Sequence, residues 1–568
     1  MAAEPKTDSI VEHSAGDVGS VEVHQEQTPV VVVEESVEKV KVSEHQQEQT
    51  EEEQVPAVQE LAPVIVSEAP AQQVTVAEGR TAASIEETET VLEKSVEESI
   101  LTTAEDSTVV EKEVPSEPKP QQEEVPLEER AIVTQQEEPV VSDVHKEAPA
   151  PTNETTDPME LPKFIYRAME KVAIEQGFTP GQVKIEFDVG STKGDGFVGE
   201  MFKAFLTEGD RREVYLCKIP PLNEARRRQF PAAMKIFTRE TLAYTQFLPL
   251  MFAYQEEKGV GREDGFFSVP KCYHAECDEA AEEAVIIMED LRLDGYRMWD
   301  KKVPVNYEHV RMTMEQLGRL HAVSLALKRD RPQEFERFKV PDQMNLTMPE
   351  GGRIEGMLRQ MIANAIETLE PHETTERTKM QKLLNNMRTE LENCFKPDPA
   401  EPYTVLGHGD CWVNNYMFHY RNGAPDKIII LDWQLTRYVS PVLDLVYFLF
   451  CCTDEEFRRR HYDEMMSVYY NALSTLLEKL GHNPQEVFPR TALIRQLRRF
   501  GRFGILMAVF LVPLLCTRKE DLPDMNKAAE MREAKNVEKN HFTANANKSA
   551  YHKRMSAVIR DIVRYGYL

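Results

Sequence analysis

The stretch V-L-G-H-G-D-C-W-V-N-N, residues 405–415, decides the reading of this chain together with K-I-I-I-L-D-W-Q, residues 427–434. A strand-like run, Tyr403 to Leu406, leads into a loop with Asp410 near its start and Asn415 five residues later. A second apolar run, Ile428 to Leu431, delivers Asp432 at its end. Two carboxylates and an amide on loops beside short strands suit a hard cation and a proton acceptor.

Protein kinases space their catalytic Asp and metal-binding Asn by the same five residues, and a metal-binding Asp follows on a nearby strand. Here H-G-D stands for H-R-D, and D-W-Q for D-F-G. The pattern resembles the kinases of small molecules, the group of the aminoglycoside and choline kinases. Within it, His408, Gly409, Asp410, Trp412 and Asn415 resemble the H-G-D-x-W-x-x-N block of the ecdysteroid kinase-like (CHK-like) family. D-W-Q and S-P-V-L-D-L, residues 440–445, extend the resemblance, which spans roughly the last 400 residues. It implies an α+β, two-lobed protein-kinase-like fold with a small β-rich N-lobe and a large helical C-lobe. It also implies ATP and Mg²⁺ as the nucleotide and metal.

The composition is uneven. Residues 1–150 hold 36 Asp and Glu against 9 Lys and Arg, a balance of −27 out of a total of −30. The first aromatic residue is Phe164. Such a segment lacks the apolar surface to offset chain entropy, so residues 1–157 are expected to form a disordered acidic tail. Residues 28–42 read as a solitary strand, a transient element or docking strip with an unknown partner. The domains expected after the tail are an N-lobe over 158–291 and a C-lobe over 292–568. Nucleic acid is a disfavoured partner, because phosphate contacts need a basic surface.

The eight cysteines show no C-x-x-C pair and no disulfide-dense spacing, which fits a reducing compartment. The first residues carry no apolar signal core. The longest apolar stretch, Phe503 to Cys516, contains Pro513 and is too short for a membrane span, so it reads as a buried helix. The expected location is cytoplasmic.

Hydrophobic periodicity predicts a helix over 162–175 with Phe164, Ala168 and Val172 on one face. Strands follow at Val183–Phe187, Val198–Leu206 and Val214–Ile219, then a helix over 229–247 and a strand at Ala284–Met288. Helical patterns cover 307–327, 352–370, 376–394, 455–480, 489–512 and 544–566.

The kinase resemblance assigns roles to particular residues. Gly194 and Gly196, between two strands, would let backbone N–H groups approach phosphate. Lys218, in a strand of apolar neighbours, would reach the α- and β-phosphates. Burying its ammonium requires a partner. Glu240 is the expected one, with Glu256 or Glu257 as alternatives. Glu289, Asp290 and Leu291 match the hinge that pairs with adenine. Asp410 is the candidate base, with Asn415 and Asp432 as metal ligands. His408 is expected to fix the loop by hydrogen bonds, and Asp444 to brace it. His321 reads as a core or helix-bracing histidine. Arg458 to Arg460 read as a solvated helix face, as do Arg495, Arg498, Arg499 and Arg502.

No A-P-E segment is visible, which argues against protein substrates. The leading expectation is a kinase of a small lipophilic alcohol, an ecdysteroid or another steroid or xenobiotic. Tyr447, Phe448, Phe450, Phe503 and Met507 are expected to wall its cleft. The alternatives are a choline or aminoglycoside-type kinase, or a silent kinase fold serving as an anchor for the tail. A silent fold has no chemical need for Lys218, Asp410, Asn415 and Asp432 together.

Overall fold

The computed structural model describes residues 161–190, 199–229, 233–339, 352–518, 524–535 and 547–568. The acidic segment, the strand-like run at 28–42 and the loop with Gly194 and Gly196 lie outside these residues.

The chain opens on helix α1 (Lys163–Glu175), where residues 164, 165, 168, 169, 172 and 173 form one buried stripe. A five-stranded antiparallel sheet follows, in the order β1 (Lys184–Val189), β2 (Glu200–Glu208), β3 (Arg211–Ile219), β5 (Glu283–Glu289) and β4 (Cys272–Asp278). The stripe of α1 packs on one face of this sheet, against Ala204, Leu206, Tyr215, Cys217 and Ile219. Strand alternation therefore turns Leu216 and Lys218 to the opposite face, which lines the central cavity.

Between β3 and β4 the chain forms α2 (Glu224–Gln229), α3 (Ala233–Leu242) and α4 (Leu248–Glu257). The single helix expected over 229–247 is thus corrected. A π-helical turn over Ala243–Phe247 joins α3 to α4, and the run continues to Glu257. Strand β4 was not expected at all. It lies at the sheet edge and is half-buried along almost its whole length, so its sequence carries no clear alternation.

The remainder is mainly helical. The long helices α5 (Tyr307–Asp330), α6 (Arg353–Ile366) and α7 (Thr374–Phe395) precede the short strand β7 (Val405–Gly407). Asn306 caps α5 by accepting from the His309 N–H at 3.3 Å. The hairpin β8 (Tyr416–Arg421) and β9 (Ala424–Ile430) follows, with β6 (Arg297–Met298) on its edge, while β10 (Arg437–Val439) pairs with β7. Then come α8 (Val442–Cys452), α9 (Glu455–Lys479), α10 (Arg490–Phe500), α11 (Phe503–Leu515), α12 (Met525–Lys535) and α13 (Lys548–Arg564).

Two expectations fail here for physical reasons. The helix expected over 489–512 is two helices, broken at Gly501. A Cβ there would meet Leu497 O and the Tyr567 ring at 2.5 Å, so only glycine lets the segment that carries Tyr567 pass. Arg458 is not on a solvated face. Its side chain is 1% exposed and pairs with Asp561 on α13 at 2.6 Å, locking α9 to α13. Arg459 and Arg460 are exposed, as are Arg495, Arg498 and Arg499, while Arg502 pairs with Glu390.

Helix α11 is buried over most of its length, as its apolar composition requires. Among the described residues no helix is long and apolar enough to cross a membrane. All eight cysteines are free thiols, most of them buried.

Candidate active site

Burying the Lys218 ammonium demands anions, and the structure supplies two. Lys218 Nζ lies 2.6 Å from Glu240 Oε2 on α3 and 2.8 Å from Asp432 Oδ1, with Gln434 Oε1 at 3.4 Å. Burial, the largest influence, disfavours the charge on Lys218. The Asp432 and Glu240 carboxylates outweigh it and raise the pKa, so the lysine stays protonated. Burial likewise pushes Glu240 up, against the pull of Lys218. Glu257 is engaged elsewhere, with Arg331, and the expected partner Glu240 is the one that Lys218 meets.

Strand β5 ends at Glu289 and the chain turns through Asp290 and Leu291, all three beside the same cavity. The Asp290 carboxylate is buried and clasps Arg292 through two contacts, at 2.5 and 2.7 Å. Arg292 Nη1 also donates to Gly190 O at 3.0 Å, tying this turn to the end of β1. Glu289 accepts from the Lys271 N–H at 2.7 Å. The carboxylates are therefore occupied with structure, as are the Glu289 N–H, bonded to Lys271 O at 3.1 Å, and the Leu291 carbonyl, which accepts from the Tyr296 N–H at 3.2 Å.

The catalytic-type loop follows β7. Gly409 adopts φ +83°, and a Cβ there would sit 2.0 Å from Leu435 O. That explains why glycine stands where protein kinases carry arginine. His408 Nε2 donates to Leu431 O at 2.7 Å, and Nδ1 accepts from the Asp410 N–H at 3.2 Å. Both ring nitrogens thus serve the loop itself. Asp444, at the start of α8, accepts the His408 N–H and the Gly409 N–H, both at 2.8 Å. His321 on α5 reaches Asp444 Oδ2 at 3.0 Å and Tyr469 of α9 at 3.0 Å. The expected core histidine is a brace linking three helices.

Asn415 Nδ2 donates to both Asp410 O (2.8 Å) and Asp410 Oδ2 (2.9 Å). An amide nitrogen has two hydrogens, so both are used and Asn415 Oδ1 faces elsewhere as an acceptor. Burial, then the charge of Asp432, raise the Asp410 pKa, which makes it a stronger base than an exposed aspartate. Asp432 sits at φ +63°, ψ +71°, a left-handed conformation uncommon outside glycine, asparagine and aspartate. Strain of this kind clusters at functional sites. Gln434 holds Asp432 Oδ2 at 3.1 Å.

These groups share one cavity of about 1320 Å³. Lys218, Glu240, Glu289, Asp290 and Leu291 line it, together with Asp410, Asn415 and Asp432. Leu391, Phe395, Phe503, Leu506, Met507 and Phe510 line an apolar part. Of the expected wall residues, Tyr447, Phe503 and Met507 face the cavity. Phe448 packs on Tyr416, and Phe450 on Tyr462, Tyr565 and Tyr567, so these two are corrected to core positions.

Two contacts escaped the sequence reading. Gln434 was visible in D-W-Q without a role. Tyr447 stands one turn after Asp444 and turns out to touch Asp410.

Residues 193–482, just over half of the chain, match the ecdysteroid kinase-like family. The chain belongs to the ecdysteroid kinase-like family. Membership places this ecdysteroid kinase-like protein among the small-molecule kinases. No curated protein sequence matches it. Among solved structures, it is similar to the GDP and kanamycin complex of APH(2")-IIia at 12% identity and TM-score 0.31, over 65% of this chain and 99% of that one. It is similar to the GDP complex of wild-type aminoglycoside 2'-phosphotransferase-IIIa at 12% identity and TM-score 0.30, over 66% and 100%. Spectinomycin phosphotransferase with ADP and spectinomycin is similar at 10% identity and TM-score 0.25, over 61% and 93%.

Proposed function

We propose that this chain transfers the γ-phosphoryl group of ATP, with Mg²⁺, to a hydroxyl of a small lipophilic molecule such as an ecdysteroid or another steroid or xenobiotic alcohol. The observation that carries the reading is the single cavity. It joins an anion-held lysine and a strand-end hinge to a buried carboxylate, and that carboxylate to an apolar wall.

In this reading the backbone of Glu289 to Leu291 pairs with adenine. Lys218, positioned by Glu240, reaches the phosphates, aided by the loop of Gly194 and Gly196. The acceptor oxygen attacks the γ-phosphorus, the bond to the β-phosphate oxygen breaks, and the hydroxyl proton passes to Asp410. His408 and Asp444 keep the loop in place. Phosphoryl transfer depends mostly on positioning and electrostatics, so a rigid loop is the main protein contribution.

Asn415 Oδ1 and the Asp432 carboxylate fit Mg²⁺, a hard cation that takes oxygen ligands and keeps waters and phosphate oxygens for the rest. Among the described residues no group of three His, Cys, Asp or Glu side chains is arranged to hold a metal. When bound, Mg²⁺ would offset charge on the phosphate oxygens.

The acceptor class follows from the wall. Leu391, Phe395, Phe503, Leu506, Met507 and Phe510 supply area and few polar groups. Choline would require an aromatic or anionic cage, and an aminoglycoside a strongly acidic cleft. The test is a comparison of kcat/KM for one steroid alcohol, choline and one aminoglycoside, with ATP and Mg²⁺. The steroid alcohol is expected to exceed both cationic acceptors by about tenfold or more, the span of one to two buried methylenes' contact energy. A preference for either cation would return the choline or aminoglycoside reading to first place.

A further inference from the structure

Asp410 is anchored on both carboxylate oxygens. Asn415 donates to Oδ2, and the hydroxyl of Tyr447 donates to Oδ1 at 3.0 Å. The first contact belongs to the loop's own architecture. The second comes from another element, helix α8, and the reaction outlined above leaves it without a role.

We propose that Tyr447 is a positioning residue for the catalytic carboxylate, fixing its rotation so that an alcohol lying against the apolar wall meets a free lone pair of Asp410. This rests on the phosphotransfer reading. Three observations carry it. Tyr447 and Asp410 both line the cavity, although each is almost fully buried. The Tyr447 ring meets Phe503 edge-on, with centroids 6.3 Å apart, so the phenol stands between the carboxylate and the apolar wall. One turn earlier on the same helix, Asp444 holds the backbone of His408 and Gly409. A single rigid helix thus grips the loop twice, once by its backbone and once by its reactive group.

The physical need is plain. The terminal torsion of an aspartate is broad and roughly two-fold, unlike an sp³ rotamer. One donor leaves the carboxylate free to swing about that contact. Two donors from different elements fix its plane. Each carboxylate oxygen offers two acceptor positions, so these two bonds leave a position on each oxygen for the acceptor hydroxyl. Burial keeps the phenol protonated, which maintains it as a donor. Small errors in the placement of a reacting group can cost about a hundredfold in rate.

The test is Tyr447→Phe in the full chain, with ATP, Mg²⁺ and a steroid alcohol as the probe acceptor. The ring remains to pack on Phe503, and only the hydroxyl is removed. The expected result is a fall in kcat of about ten- to a hundredfold, with the nucleotide KM and the melting temperature close to those of the parent. A merely structural tyrosine would instead lower the melting temperature or raise KM at unchanged kcat, and that result overturns the proposal. A second arm introduces Tyr447→Phe into Asp410→Asn. A residue acting through Asp410 adds little further loss once the carboxylate is gone. Full multiplication of the two losses would show an independent role and overturn it as well. An active parent with an equally active Tyr447→Phe variant refutes the positioning role alone. A parent that phosphorylates no steroid alcohol, choline or aminoglycoside refutes the kinase reading and this inference with it.

Discussion

Asp410→Asn is expected to lower kcat by about a hundredfold or more while nucleotide affinity stays near that of the parent, a loss of about 2.7 kcal/mol in transition-state stabilisation. The substitution is close to isosteric. An asparagine there keeps an oxygen for the Asn415 amide, and the Tyr447 hydroxyl can rotate to accept from its NH₂ group. The loop geometry set by His408, Gly409 and Asp444 is untouched, because those contacts use the backbone and other side chains. What disappears is the proposed proton acceptor, in a place where burial and the neighbouring Asp432 strengthen it as a base. Steady-state kinetics with ATP titration separate the two effects. Equal kcat in the variant and the parent would remove Asp410 from the proton transfer. A raised nucleotide KM would instead show that its role lies in holding the nucleotide end of the site.

The parts of this site that were legible in the sequence are those whose chemistry fixes residue type and spacing together. Asp410, Asn415 and Asp432 were legible because the proposed chemistry asks for oxygen ligands and a base, and so for residue type and spacing together. Lys218 was legible for a different reason. It stands among apolar neighbours in a strand-like run, V-Y-L-C-K-I-P, and the structure turns Tyr215, Cys217 and Ile219 to α1 and Lys218 to the cavity. A lysine in that setting needs an anion. Helix length then pointed to Glu240, 22 residues on, which meets it at 2.6 Å.

Other features were hidden because they depend on partners distant in sequence. A run of three arginines looks solvated until Asp561, 103 residues away, closes on Arg458. Helix α8 is buried on every side, so periodicity could not separate Tyr447, which faces the cavity, from Phe448 and Phe450, which do not. The break at Gly501 arises from the passage of Tyr567, at the far end of the chain. The edge strand β4 carries no alternation because neither of its faces is fully covered.

Asp444→Ala is expected to destabilise the protein by about 3–5 kcal/mol, the scale for breaking a buried charged network. The carboxylate is 3% exposed and accepts from three groups, the His408 N–H, the Gly409 N–H and His321 Nε2. Alanine leaves two buried backbone donors and an imidazole without that partner. Burial, the largest influence on Asp444, favours the neutral acid. The hydrogen bond and attraction of His321, the attraction of His408 and the Gly409 N–H outweigh it and hold the pKa at about 2. That lies below the unfolded value of about 3.9. The ionised Asp444 therefore stabilises the native state above pH about 4, by about 2–3 kcal/mol, and this part is lost as pH falls from about 4 to about 2. Chemical denaturation of the parent and Asp444→Ala at pH 7 measures the full difference, and repeating it from pH 5 downward should show the gap narrowing. A gap of under about 1 kcal/mol at pH 7 would show that the loop keeps its shape without Asp444. A gap that stays constant as pH falls would show that packing, and not the ionised carboxylate, carries the effect. Because the same two backbone donors set the position of Asp410, the variant should also lose activity at temperatures where it remains folded. That ties the stability of this loop to its chemistry through a single side chain.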